Sequence, residues 1–170
     1  MGKRVGKYKI TKRESALNLT DGGTINGAIK FTGAGGIFKA NSSPTGTSTA
    51  LTNADSGKVI FMDASSANTI ALPAVSTVDA GWNVKVILTA TGAAGIINTN
   101  GAEDKITGFI EEADLNGSNH TVTVDADADR ITFVNTANPG SFVNIISNGS
   151  LFFVEGFATP ADKLTLTKED

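Results

Sequence analysis

The residues best suited to chemistry in this chain are its carboxylates. Asp125, Asp127 and Asp129 alternate in VDADADR, and on an extended segment such spacing turns side chains to one side, the beginning of a calcium cage. The pattern stops short of a calcium loop, because Arg130 stands where the loop needs glycine and Thr136 where it needs a bidentate Glu. A solvated hairpin connection between Val124 and Ile131 accounts for the same residues, and no metal is expected. Glu103, Asp104, Glu111, Glu112 and Asp114 form a second acidic group, and glycoside hydrolysis needs only two carboxylates about 5 to 10 Å apart. Acids clustered in loops are more simply solvated surface, and Trp82 and Tyr8 are the only large polar-tipped platforms for a sugar ring.

Other catalytic constellations fail on composition. There is no cysteine and one histidine, His120, so a thiolate nucleophile and a zinc-cysteine site are excluded, and without a G-x-S-x-G turn a serine triad lacks its frame. His120 reads as a polar strand residue. Asp55-Ser56-Gly57-Lys58 ends in the Gly-Lys pair of a phosphate loop, but the upstream glycine is missing and Val59 replaces the hydroxyl that would hold magnesium. A turn feeding a strand explains it. Five Asn-x-Ser/Thr sequons, at Asn18, Asn41, Asn116, Asn119 and Asn148, are expected by chance where Asn, Ser and Thr are so common. The expectation is a protein that is not an enzyme and has no cofactor.

The elements that must carry these residues are strands. Extended runs are expected over 58–62, 68–72, 83–88, 95–98, 104–109, 118–124, 130–135, 141–147 and 151–156, separated by Gly, Asn and Asp at the spacing of a sandwich or barrel. Val84, Val86 and Leu88 share one face opposite Lys85, and Val122 and Val124 alternate with Thr121 and Thr123. Two stretches read as strand, tight turn, strand: LTNADSGKVIFMDASSANTIALP (51–73) and GSFVNIISNGSLFFVEG (140–156), the latter around an Asn148-Gly149 pair suited to a hairpin turn. Phe61, Phe109, Phe133, Phe142, Phe152, Phe153 and Phe157 lie in or beside the runs and are the expected large core residues. Before them, Thr11 and Glu14 have capping-box spacing for a short helix, 24–31 reads as a strand, and 40–49, rich in Ser, Thr and Gly, reads as a linker.

Charge is divided along the chain. The total is −3, from 14 basic and 17 acidic residues, yet Lys3, Arg4, Lys7, Lys9, Lys12 and Arg13 all precede the first acid, Glu14. The remaining eight basic residues (14 less six) against 17 acids leave a body of −9. A basic arm on an acidic body suits docking to an acidic protein surface; nucleic acid is disfavoured, since the body repels it and Tyr8 alone is too little for base stacking. No apolar run has the length of a signal peptide core or a membrane span, so synthesis in the cytoplasm and no membrane partner are expected. The aromatic share is only 6%, a thin core for a lone chain, and Phe152-Phe153-Val154 with Phe157 puts apolar side chains on both faces of one strand. Such a strand wants cover on both sides, which marks Phe152, Phe153 and Phe157 as candidate subunit contacts.

The order LT-x-x-DSGK (51–58), TIALP (69–73), an AGW turn into an apolar strand (80–86), G-x-x-DKI-x-G (101–108) and GSFVNIISNG before an aromatic strand (140–153) resembles small structural proteins of tailed bacteriophages. The opening MGKRVGKYKITKRESALNLTDGG is similar to the start of short virion proteins of marine and cyanobacterial phages. The resemblance implies a capsid decoration (cement) protein on the outer head surface of the virion, homotrimeric, with the major capsid protein as partner and the arm residues Lys3, Arg4, Lys7, Tyr8, Lys9, Lys12 and Arg13 reaching across the lattice. Its alternative is a tail or head fibre or spike component for host attachment. Phe152 and Phe153 stand where such a module is expected to carry tryptophan, which tells against a sugar-binding surface. The expected fold is all-β, an antiparallel, jelly-roll-like β-sandwich over 51–170 behind an extended basic N-terminal arm and linker over 1–50.

Overall fold

Alternating apolar residues recur from position 59 onward, and each such run becomes a strand, with one face turned inward in every run but 120–128, which is exposed on both faces over most of its length. The computed structural model describes residues 41–42, 48–99, 103–114, 117 and 119–168. The helix expected at Thr11, the strand over 24–31 and every residue of the basic arm lie outside the described residues.

Twelve strands occur among the described residues: β1 (Asn41–Ser42), β2 (Ser48–Ala50), β3 (Val59–Asp63), β4 (Asn68–Ala71), β5 (Asn83–Ala90), β6 (Gly95–Asn98), β7 (Ile106–Ala113), β8 (His120–Ala128), β9 (Arg130–Phe133), β10 (Phe142–Ser147), β11 (Phe152–Ala158) and β12 (Leu164–Thr167). The nine runs expected after position 51 are all present; β1, β2 and β12 are additional, and β2 lies partly in the stretch read as linker. They form a seven-stranded sheet, β1-β3-β5-β10-β11-β7-β8, and a five-stranded sheet, β12-β9-β6-β4-β2. The protein is all-β and a sandwich.

The antiparallel, jelly-roll-like expectation needs correction, because both sheets are mixed. In the larger, β1, β3 and β5 run parallel, as do β7 and β11; in the smaller, β2, β4 and β6 run parallel. The cause is the connection over 64–67. It does not fold β3 back onto β4 as a hairpin; β3 belongs to the large sheet and β4 to the small one. The chain from β1 to β6 therefore alternates between sheets at every step, so each strand stacks parallel on the one laid down two elements earlier. The second half closes the sheets with antiparallel neighbours, β10 on β5 and β9 on β6.

Stacking is visible in the connections. Ala64 donates its N–H to the Ala90 carbonyl and accepts from Ala93 N–H, and Asn68 N–H reaches the Ala94 carbonyl, so the 64–67 bend is hydrogen-bonded to the 91–94 bend above it. Gly92 is required there: its φ is +152°, and a Cβ would come within 2.8 Å of the Ser65 carbonyl oxygen. The core lies between the sheets, where Ile60, Met62, Val86, Leu88, Val143, Ile145 and Phe152 of the large sheet meet Ile70, Ile97, Ile131, Phe133 and Leu164 of the small one, all essentially inaccessible. Trp82 closes one end, its ring edge against Phe152 at 5.8 Å between centroids and its Nε1 donating to the Thr52 carbonyl.

Candidate interaction surface

In strands with one buried face, the residues between the core positions define the other face. For the large sheet that outer face is unusually apolar. The register aligns side chains in rows across the strands: Phe61, Ile87, Phe142, Phe157, Glu111 and Val122 in one; Val59, Lys85, Asn144, Glu155, Phe109 and Val124 in the next; Asn83, Ile146, Phe153 and Thr107 in a third. Phe109, Val122, Val124, Ile146 and Phe153 are between 42% and 75% exposed, and Phe61, Ile87, Phe142 and Phe157 are half-buried beside them.

This distribution corrects the expected core. Of the seven described phenylalanines, only Phe133 and Phe152 are buried; Phe61, Phe109, Phe142, Phe153 and Phe157 lie on the outer face. Phe152 faces the interior, away from any subunit contact, whereas its neighbours Phe153 and Phe157 face outward. The interior needs few aromatic rings because Ile, Leu, Val and Met fill it.

The surface has definite relief. A depression of about 290 Å³ lies between Phe109, Ile146 and Phe153, floored by Gly108 and Val154. Gly108 makes the floor, since a Cβ there would fall on the Val154 carbonyl oxygen, and the β7–β8 register shifts beside it. Phe142 and Phe157 pack with ring centroids 6.4 Å apart, and the Lys85 ammonium sits 3.9 Å over the Phe142 ring, a placement favoured by the ring quadrupole. A second hollow, about 460 Å³, lies between 50–53 and 71–77, and no acid, base or histidine lines it.

The candidate chemical residues are dispersed. Asp125 and Asp127 lie within β8, and Asp125 accepts the N–H of Asp127. Asp129 is buried where the chain passes from β8 in one sheet to β9 in the other, so the expected hairpin connection is a crossing between sheets. Among the described residues no three His, Cys, Asp or Glu side chains are grouped to hold a metal ion. Glu111 and Glu112, adjacent on β7, point to opposite faces: Glu111 meets His120 at 2.7 Å on the outer face, while the buried Glu112 accepts the N–H groups of Lys163 and Leu164, each at 2.6 Å, anchoring the approach to β12. Asp114 accepts from Ala161 N–H, and Asp104 pairs with Lys168. Trp82, buried, offers no platform to a sugar.

The DSGK stretch is a clip. A short 3-10 turn spans Asn53–Asp55, Thr52 and Asp55 cap it reciprocally, and Lys58 pairs with Asp55 at 2.6 Å. Gly57, at φ +81°, turns the chain into β3. Burial pushes the Asp55 carboxyl up, but its bonds from Lys58 and Thr52 outweigh that and hold it below the usual carboxylate range.

The class these features define is an all-β sandwich with an apolar outer sheet face. No protein-family model matches the chain, and no curated protein and no solved structure is detectably similar to it.

Proposed function

We propose that the chain is a structural protein of a phage virion, a decoration protein that binds the outer surface of the head and stabilises its lattice through the major capsid protein. The observation that carries the reading is the division of charge: six cations ahead of Glu14 against a body of −9 provide an arm for an acidic partner surface. A structural role suits the body as well, because its outer sheet face carries exposed apolar side chains that call for a covering surface, while its carboxylates are spread over separate structural contacts. An arm that engages several neighbours raises overall binding through effective concentration even when each contact is weak.

Protein stoichiometry in purified particles tests the proposal. Hundreds of copies are expected on each particle; a dozen or fewer assigns the chain to a tail or fibre. Deleting 1–13 is expected to weaken binding to heads and to flatten its salt dependence, and unchanged binding removes the arm from the mechanism.

A further inference from the structure

We infer that the outer face of the large sheet is a two-fold self-association surface, a second copy of this chain being its occupant. The contact is independent of where the protein works, and it replaces the three-fold association implied by the phage resemblance with a two-fold one.

The occupant follows from charge placement. On the apolar part of the face, Lys85 and Glu155 lie in one row on opposite sides of β10, each directly opposite Asn144 in the register. Strands are about 4.8 Å apart, so the two backbone positions stand about 10 Å apart, and within the subunit the Lys85 ammonium is turned to the Phe142 ring. A two-fold axis parallel to β10, lying between two face-packed sheets, exchanges the strands on either side of it. Lys85 of each copy then lies over Glu155 of the other, twice. The same operation sets Ile87 over Phe157 and Val59 over Phe109, apolar on apolar, brings Ile146 over its own counterpart, and leaves Phe61 over Glu111 and Asn83 over Phe153 as the mixed pairs of the contact. An axis perpendicular to the strands would instead place Lys85 over Lys85 and Glu155 over Glu155. The charges thus choose one of the two orientations, which keeps the strand directions of the packed sheets nearly aligned, the common geometry of sheet-on-sheet packing.

The size is adequate. Five strands at about 4.8 Å and three rows at about 7 Å give a footprint of roughly 500 Å² in projection, and the accessible area of a corrugated face is larger, approaching the ~800 Å² per partner of a standard interface. The depression between Phe109, Ile146 and Phe153 gives side chains of the partner a place to seat.

Sedimentation of the full chain at micromolar concentration, with charge-reversed variants, tests this. Wild type is expected at twice the chain mass. K85E and E155K should each stay folded by circular dichroism and dissociate at least about tenfold more readily. Mixing the two should restore a dimer, because one then carries two acids and the other two bases at the contact, and the double variant K85E/E155K should dimerise to within about threefold of wild type. Ile146→Asp should be monomeric. A monomeric wild type, an oligomer of any order indifferent to both reversals, or folded single variants that fail to combine would each overturn the inference. So would a monomer whose outer face becomes protected only on phage heads, which would assign that face to the capsid.

Discussion

Residues 59–71 and 142–158 each consist of two strands joined by four residues, yet one is a bend between sheets and the other a hairpin within a sheet. The difference lies in where the connecting backbone finds its hydrogen bonds. At 148–151 it finds them locally: Asn148 Oδ1 accepts from Ser150 and Leu151, Asn148 N–H donates to the Leu151 carbonyl, and Gly149 takes φ +87°. The N–H groups of 148, 150 and 151 are satisfied within the turn and that of Gly149 by the Ser147 hydroxyl just before it, so the strands fold back on one another. At 64–67, Asp63 accepts locally from Ser65 N–H, and Asn68 Nδ2 holds the Asp63 carbonyl. Ala64, however, is buried and bonded to residues of the next bend. That connection is completed by a neighbouring coil, and β3 and β4 go to separate sheets.

The hairpin also separates two adjacent rings, which gives the largest expected effect. Phe152→Ala should cost about 3 to 5 kcal/mol in chemical denaturation because a large interior side chain is lost, whereas Phe153→Ala should leave monomer stability within about 1 kcal/mol. Equal losses in the monomer would mean that both faces of β11 are covered within one subunit. Next, Gly92→Ala should cost about 1 to 3 kcal/mol, since the new methyl meets the Ser65 carbonyl and backbone must shift; Gly149→Ala has only Ala80 N at 3.7 Å nearby and should cost about 1 kcal/mol for its left-handed backbone. If Gly149→Ala proves the worse, the bends are not stacked in solution.

Two residues inserted between Gly149 and Ser150 should cost about 1 kcal/mol, mostly the lost turn bonds and a longer closed loop. The same insertion between Ser65 and Ser66 should cost more, because it displaces a bend that a second bend rests on. Equal midpoints in urea would erase the distinction between local and stacked connections.

The smallest effect concerns the clip leading into β3. The Asp55 carboxyl is held below its ordinary value in the folded protein, so its stabilisation is fully present above about pH 4 and disappears as pH falls through the folded-state value. Thermal midpoints of wild type and Asp55→Asn should therefore differ slightly at neutral pH and converge below pH 4; divergence on acidification would mean that the clip is not held by the ionised carboxylate.

What could be read from the sequence were features carried by neighbouring residues. Extended runs bounded by Gly, Asn and Asp located nine strands, Asn148-Gly149 marked its hairpin, and the failed phosphate loop was legible as a turn because the residues that magnesium and phosphate require were missing. Leu164 and Leu166 carry a period-two alternation in β12, a run as legible as the four-residue β4 and β6; β2, with Ser and Thr, offers no apolar face. Alternation says which residues share a face and is silent on which face is inside, so seven phenylalanines were legible as core-forming when five line the outer surface. The charge division, the lack of cysteine and the all-β class are properties of composition and local pattern, legible before any fold is known. Sheet membership, the parallel stacking of β1 to β6 and the alignment of Lys85 with Glu155 about β10 depend on hydrogen bonds between residues distant in the chain, which no local pattern encodes.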